Sequence, residues 1–213
     1  MIVDLGDGYV LRQASAADDA ALKMICLKTG DAGADASARE DAPDLLGLIY
    51  TVPYRHFEPE LAFIIEGPVG PAGYLLGARN SVAFNLRLAN DWYPGMRLAH
   101  TDPGNKLSLW EGSDWARHWI HHPDLAVPEV LATRYPSHGH IDLLPQARGR
   151  GIGRRAMRFL EERLGEGGSP GLYLEVAPEN SSALRFYETL GYVQLQGADV
   201  PRRCIFMVKT LAR

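Results

Sequence analysis

Five arginines stand between positions 148 and 158, in RGRGIGRRAMR, with no acidic residue among them. Gly149, Gly151 and Gly153 are interleaved with the first of these arginines. A strand, a glycine-rich turn and then a helix is an arrangement for anions. Glycines let successive backbone N–H groups turn inward, and the helix N-terminus adds partial positive charge. Two other phosphate-binding patterns fail on spacing. A P-loop needs GxxxxGK followed by Ser or Thr, whereas Gly153 is followed by Arg154 and Arg155. A dinucleotide fingerprint needs GxGxxG, whereas these glycines are spaced two and two. A second chemical signal is Asp142, an acid inside the apolar run HIDLLP. A mid-strand carboxylate is costly unless it is paired or used. Strand alternation sets Asp142 on one face with His140 and Leu144, and Ile141 with Leu143 on the other. His118, His121 and His122 fall at i, i+3 and i+4, so two of them could share a helix face and ligate zinc. No cysteine or acid stands at a persuasive spacing for a third ligand, and Pro123 closes the helix, so no metal is expected.

The rest of the composition is ordinary. The 213 residues are 46% hydrophobic and 23% charged, values of a globular chain rather than a disordered one. Acids number 26 against 22 Lys plus Arg, a net charge of -4, which argues against a partner gripped through many nucleic-acid phosphates. Without the five clustered arginines the balance is -9, so one short segment is set apart to meet an anion. Cys26 and Cys204 form no disulfide framework and no CxxC pair, and their apolar neighbours predict buried thiols. The N-terminus lacks the basic and apolar regions of a signal peptide, and no run approaches the ~18 apolar residues of a membrane span. A cytoplasmic protein without membrane contact is the expectation.

These residues need elements to hold them. GYVLRQA predicts a strand, and Ser15 an N-cap for a helix that ends at Gly30. Residues 30–42, small and acidic, predict a mobile loop. PDLLGLIYTVPY predicts a short helix ended by Pro53, and LAFIIEG with AGYLLGARN a hairpin around GPVGP. Residues 80–123 hold all four tryptophans and four of the seven histidines, and read as mainly helical with a loop around DPGNK. Then come strand GHIDLLP, a helix entered through RGRGIG with Ile152, Ala156, Phe159, Leu160 and Leu164 on one side, strand GLYLEVAP, helix SSALRFYETLG, and strands YVQLQ and CIFMVKTL. With no repeat and no linker, residues 1–213 read as one mixed α/β domain.

The pattern Arg148-x-x-Gly151-x-Gly153 resembles the acetyl-CoA pyrophosphate motif, Q/R-x-x-G-x-G/A, of the GNAT N-acetyltransferases. The segment LEVAPENSSALRFYETLGY, with Asn180, Ala183, Tyr187 and Gly191, is similar to that family's next strand and helix. More diffusely, RQASAADDAALKMICLKTG and PDLLGLIY resemble the acetyltransferase-like C-terminal domain of eukaryotic O-GlcNAcases and its free-standing bacterial relatives. The resemblance implies a single GNAT-type domain with a mixed central sheet flanked by helices, and residues 80–123 as a helical, substrate-side insertion. It implies direct acetyl transfer to an amine of a small molecule or peptide, with coenzyme A as product, and it allows a homodimer.

Site roles follow from the same resemblance. Leu143, Arg148, Gly149, Arg150, Gly151, Ile152, Gly153, Arg154, Asn180, Ser182 and Tyr187 would hold acetyl-CoA. Tyr187 would also be the general acid. Glu175, twelve residues earlier, matches the place where related enzymes keep a base. Asp142, Glu175 or a water remain open for that role, and His140 is a minor candidate for shuttling a proton. The O-GlcNAcase domain is widely regarded as a pseudo-acetyltransferase, so a catalytically weak acyl-CoA-binding module that recognises a protein or an acetylated ligand is the alternative. This chain keeps the arginine–glycine loop that the eukaryotic domain lacks in this form.

Overall fold

The structure, a computed structural model, describes residues 2–197 and 204–211. Strands β1 (Ile2–Gly6) and β2 (Tyr9–Gln13) form an antiparallel pair. Only β2 is readable by alternation, but the turn between them is Asp7-Gly8, both at positive φ (55° and 79°). Asp-Gly in that conformation matches the right-handed twist of flanking strands and is a hairpin signal in its own right. A short 3-10 turn, capped reciprocally by Ser15 and Asp18, leads into α1 (Asp19–Thr29). The next helix is split. Thr51 separates α2 (Leu45–Tyr50) from α3 (Val52–Phe57), and Pro53 opens α3 rather than ending its predecessor. Proline costs little there, because the first-turn N–H has no intrahelical acceptor.

Strands β3 (Ala62–Gly67) and β4 (Gly70–Ala78) make the expected hairpin. Helices α4 (Ser81–Arg87), α5 (Tyr93–Ala99), α6 (Asp114–His121) and α7 (Glu129–Arg134) follow, α4 and α5 being joined by a π-turn over Leu88–Trp92. The C-terminal part is β5 (Ser137–Leu143), α8 (Ile152–Glu166), β6 (Gly171–Val176), α9 (Ser181–Thr189), β7 (Val193–Gln194) and β8 (Ile205–Thr210). The strands form one mixed sheet in the order β1-β2-β3-β4-β5-β6-β8-β7.

Helices cover both faces. Ile152, Ala156, Leu160 and Leu164 recur every fourth residue along α8, and the stripe is buried against Leu11, Ile65, Leu75 and Leu172. Each large aliphatic side chain so buried contributes about 1.5–3 kcal/mol. Tyr187 and Leu190 of α9 join that core. On the opposite face Leu22, Ile25 and Cys26 of α1 and Leu46 of α2 pack on Ile64, Tyr74 and Leu76. No helix among the described residues is long and apolar enough to cross a membrane.

Residues 30–42 form a loop without helix or strand, as expected, and the structure ties it down at several points. A β-bridge joins Asp31 and Ala34, Ala36 is fully buried, and Arg39 pairs with Asp31 at 2.7 Å. Glu40 is buried and accepts a hydrogen bond from Ser113 at 2.6 Å. Of the acidic residues that read as solvated chain, Glu40 is the one taken out of solvent. Cys204 departs from expectation: it is half-buried and donates to Glu175 at 3.4 Å, whereas Cys26 is buried as expected.

Candidate active site

The parallel ladder between β5 and β6 holds only two pairs, Ser137 with Leu172 and His138 with Tyr173. Beyond them each strand keeps its outer partner. β5 follows β4 to Leu143, and β6 follows β8 to Val176. A gap therefore opens between residues 139–143 and 174–176, whose inner edges lose their ladder bonds. Backbone groups so exposed need other partners, which an extended ligand can supply. A cavity of about 480 Å³ occupies this gap, with His140, Asp142, Glu175, Asn180 and Tyr187 among its lining residues.

Asp142 has the partners that its position demanded. Antiparallel register sets it directly opposite Tyr74. Its Oδ2 accepts from the Tyr74 hydroxyl and lies 3.1 Å from His140 Nε2. On the other side of the ring, His140 Nδ1 meets the Tyr50 carbonyl at 3.1 Å. Burial lowers the affinity of His140 for its proton, but the hydrogen bond and charge of Asp142 and the Tyr50 carbonyl outweigh it, and the net shift is upward. His138, two residues away on the same strand face, goes the other way. Burial and the neighbouring His140 push it down to about 3, so it stays neutral between Ser81 Oγ (2.7 Å) and Tyr54 Oη (2.8 Å). Tyr74, which sequence reasoning missed, stands in an apolar strand without a motif; only the register reveals its task.

Tyr187 is buried, lines the cavity, and its hydroxyl bonds to none of the described residues. Burial, with the charge of Asp142 as a second cause, raises its pKa, so the phenol keeps its proton. Glu175 opens onto the same cavity from β6. Desolvation raises its carboxyl pKa, partly offset by the hydrogen bond from Cys204. The three residues read from sequence as acid or base candidates thus line one cleft.

The arginine–glycine loop lies beside the gap. Gly149 and Gly151 sit at φ 72° and 73°, a region that favours glycine, and Gly151 caps α8. The N–H groups of residues 149–154 donate to no described residue, as expected where the first turn of a helix has no preceding turn. None of the five clustered arginines pairs with a described carboxylate. Arg148 donates to the carbonyls of Leu143 (2.7 Å) and Gly33 (2.8 Å), Arg150 to Gln146 O, Arg154 to Thr189, and Arg155 to the Leu5 and Arg150 carbonyls. Arg12, Arg39, Arg55 and Arg117, by contrast, all hold carboxylates. An uncompensated positive rim with open amides fits a phosphate-bearing ligand.

Other candidates have structural tasks. Asn180 caps α9, its Oδ1 accepting from Ala183 N at 3.0 Å, while Ser182 is exposed in the first turn. Ile152 is fully buried. Gly153 lies tight against its neighbours: a Cβ there would lie 3.1 Å from the Phe186 ring and 3.4 Å from Leu143. Trp115 and Trp119, with Tyr50 and Tyr93, wall the far side of the cavity. The three clustered histidines divide. His121 faces the His100 carbonyl at 2.6 Å, whereas His118 and His122 both reach Asp102, which the preceding loop brings up.

Comparison with known proteins gives this arrangement a context. The acetyltransferase (GNAT) family model matches residues 114–192. The crystal structure of SsHAT superposes with a TM-score of 0.86 at 30% identity, covering 97% of this chain and 100% of that one. The chain belongs to the GNAT acetyltransferase family. The protein O-GlcNAcases of Rattus norvegicus and Mus musculus are each 25% identical to this GNAT chain over 204 residues, 95% of its length. It spans only 22% of theirs. A putative acetyltransferase from Salmonella typhimurium, YncA, solved with its cofactor acetyl-CoA, shares the fold at a TM-score of 0.53 and 14% identity, with 97% and 95% of the two chains covered. The single mixed sheet flanked by helices agrees with the family expectation drawn from the sequence.

Proposed function

We propose that this GNAT chain is an acetyl-CoA-dependent N-acetyltransferase acting on an amine of a small molecule or peptide. The observation that carries the reading is the opened β5–β6 pair, with Asp142 and Tyr187 facing one cavity beside an unpaired amide turn. Acetyl-CoA, when bound, supplies an acetyl group activated as a thioester. The N–H groups of residues 149–154 and the side chains of Arg148, Arg150 and Arg154 would hold its phosphates, with Leu143, Asn180 and Ser182 nearby. Asp142 is the proton acceptor for the amine. Its Oδ2 is fixed by Tyr74 and His140, which hold its orientation and spread its charge, and Oδ1 remains for the incoming proton. Tyr187 supplies a proton from the opposite side of the gap, and its raised pKa keeps that proton in place until needed. Glu175 is the second carboxylate, placed to orient a cationic acceptor.

The O-GlcNAcase similarity favours a second reading, an acyl-CoA-binding module without turnover. Calorimetry with acetyl-CoA, together with thiol release over a panel of amines, amino sugars and peptides, separates the two. Binding plus amine-dependent release that collapses in Asp142→Asn supports the enzyme. Binding with no acceptor-dependent release supports the module, and absence of binding overturns both.

A further inference from the structure

We propose that Asp102, His118 and His122 form a binding site for a first-row divalent transition metal, with zinc as its first candidate. His118 and His122 lie one turn apart at the end of α6, and their rings are 4.5 Å apart. Asp102 reaches between them from the loop after α5, its Oδ1 3.1 Å from His118 Nδ1 and its Oδ2 2.5 Å from His122 Nε2. The three donor atoms all lie within 4.8 Å of one another. Two imidazoles and one carboxylate are a borderline donor set that suits zinc, cobalt or nickel; calcium and magnesium prefer all-oxygen sites. Three protein ligands leave a fourth tetrahedral position for water.

The donors are also held from behind, as metal ligands generally are. The Gly104 amide donates to Asp102 Oδ1 at 3.0 Å, and Trp110, whose Nε1 donates to the Gly104 carbonyl at 2.9 Å, packs at a tilt against His118 with ring centroids 4.8 Å apart. Residues 102–110 therefore fold back on α6 around these three side chains. His121 takes no part, because its Nε2 is turned to the His100 carbonyl. A bound ion would pin the loop to α6, the helix that brings Trp115 and Trp119 to the cavity wall. The site stands apart from the acetyl-transfer residues, so its test is independent of theirs.

The test uses the full chain stripped with a chelator and titrated with Zn²⁺ in a thermal-unfolding assay. At a hundredfold excess over Kd, the midpoint should rise by about 5–10 °C and return when chelator is added. Co²⁺ should develop the visible d–d bands of a low-symmetry tetrahedral site. His118→Ala and His122→Ala should each remove both signals, whereas His121→Ala should keep them. Asp102→Asn, which preserves the shape of the loop, should weaken Zn²⁺ binding at least tenfold. No midpoint rise in the unsubstituted protein, or a rise that persists in the double His118→Ala/His122→Ala variant, overturns the proposal.

Discussion

The arginine–glycine rim at residues 148–158 and the aromatic wall at residues 80–122 flank one cleft, yet they are built from different parts of the chain's chemistry. The rim is made mostly of backbone: two glycines at positive φ, six open N–H groups, and arginines whose partners are carbonyls or a hydroxyl. The wall is made of aromatic side chains, each fixed by a hydrogen bond from its indole. Trp92 Nε1 donates to the Leu48 carbonyl at 2.8 Å, Trp119 Nε1 to the Tyr93 hydroxyl at 3.2 Å, and Trp115 Nε1 to Glu40 at 3.4 Å. A backbone cradle recognises a group that is always the same, such as a pyrophosphate. A side-chain wall can be altered residue by residue, which suits the variable partner of a transfer reaction.

That contrast can be broken by substitution. The largest effect should come from the gap between the two walls: Asp142→Asn and Tyr187→Phe should each lower kcat by about 10²–10⁴-fold, with acetyl-CoA affinity from calorimetry nearly unchanged. Equal losses in turnover and affinity would make Tyr187 a packing residue. On the rim, Gly151→Val forces a β-branched residue to φ 73° and brings its Cβ to 3.0 Å from the Arg155 guanidinium. It should weaken acetyl-CoA binding by about 100-fold, the open amides being displaced. Unchanged affinity would mean the phosphates sit elsewhere.

A site outside both walls provides the control. Arg12 hydrogen-bonds Asp18 at 2.7 Å and holds its carboxyl down to about 2, against a reference of 3.8. A pKa depressed by folding means that the stabilisation is present above pH 3.8 and is lost as pH falls towards 2. Asp18→Asn should therefore cost about 2 kcal/mol by urea unfolding at pH 7, a deficit that shrinks near pH 2, with acetyl-CoA affinity unaffected once folded. The smallest effect is expected from Arg154→Ala, which removes one of several rim cations held only by Thr189. A loss of acetyl-CoA affinity of about threefold, shrinking further at high salt, fits an exposed charge.

Much of the C-terminal half was legible because its signals are local. The spacing of Arg148, Gly151 and Gly153, the N-cap Asn180 and the fourfold apolar recurrence along α8 all act within a turn or two of chain. The anchoring of residues 30–42 was illegible for the opposite reason. Glu40 looks solvated until Ser113, far along the chain, is brought to it. Asp102 was overlooked as a partner of His118 and His122 on similar grounds, since it stands sixteen positions before the first of them.

By itself, then, the sequence determined that the chain has a glycine turn set among unpaired arginines, an acid within an apolar strand and a tyrosine in a later helix. Tertiary structure alone decided what meets them. The β4–β5 register sets Tyr74 against Asp142, and the early end of the β5–β6 ladder turns a strand pair into a cleft. Turns and caps are written in neighbouring residues because their hydrogen bonds close over a few positions. Register and strand divergence depend on which distant segments compete for the same edge, and that competition is resolved only when the whole sheet assembles.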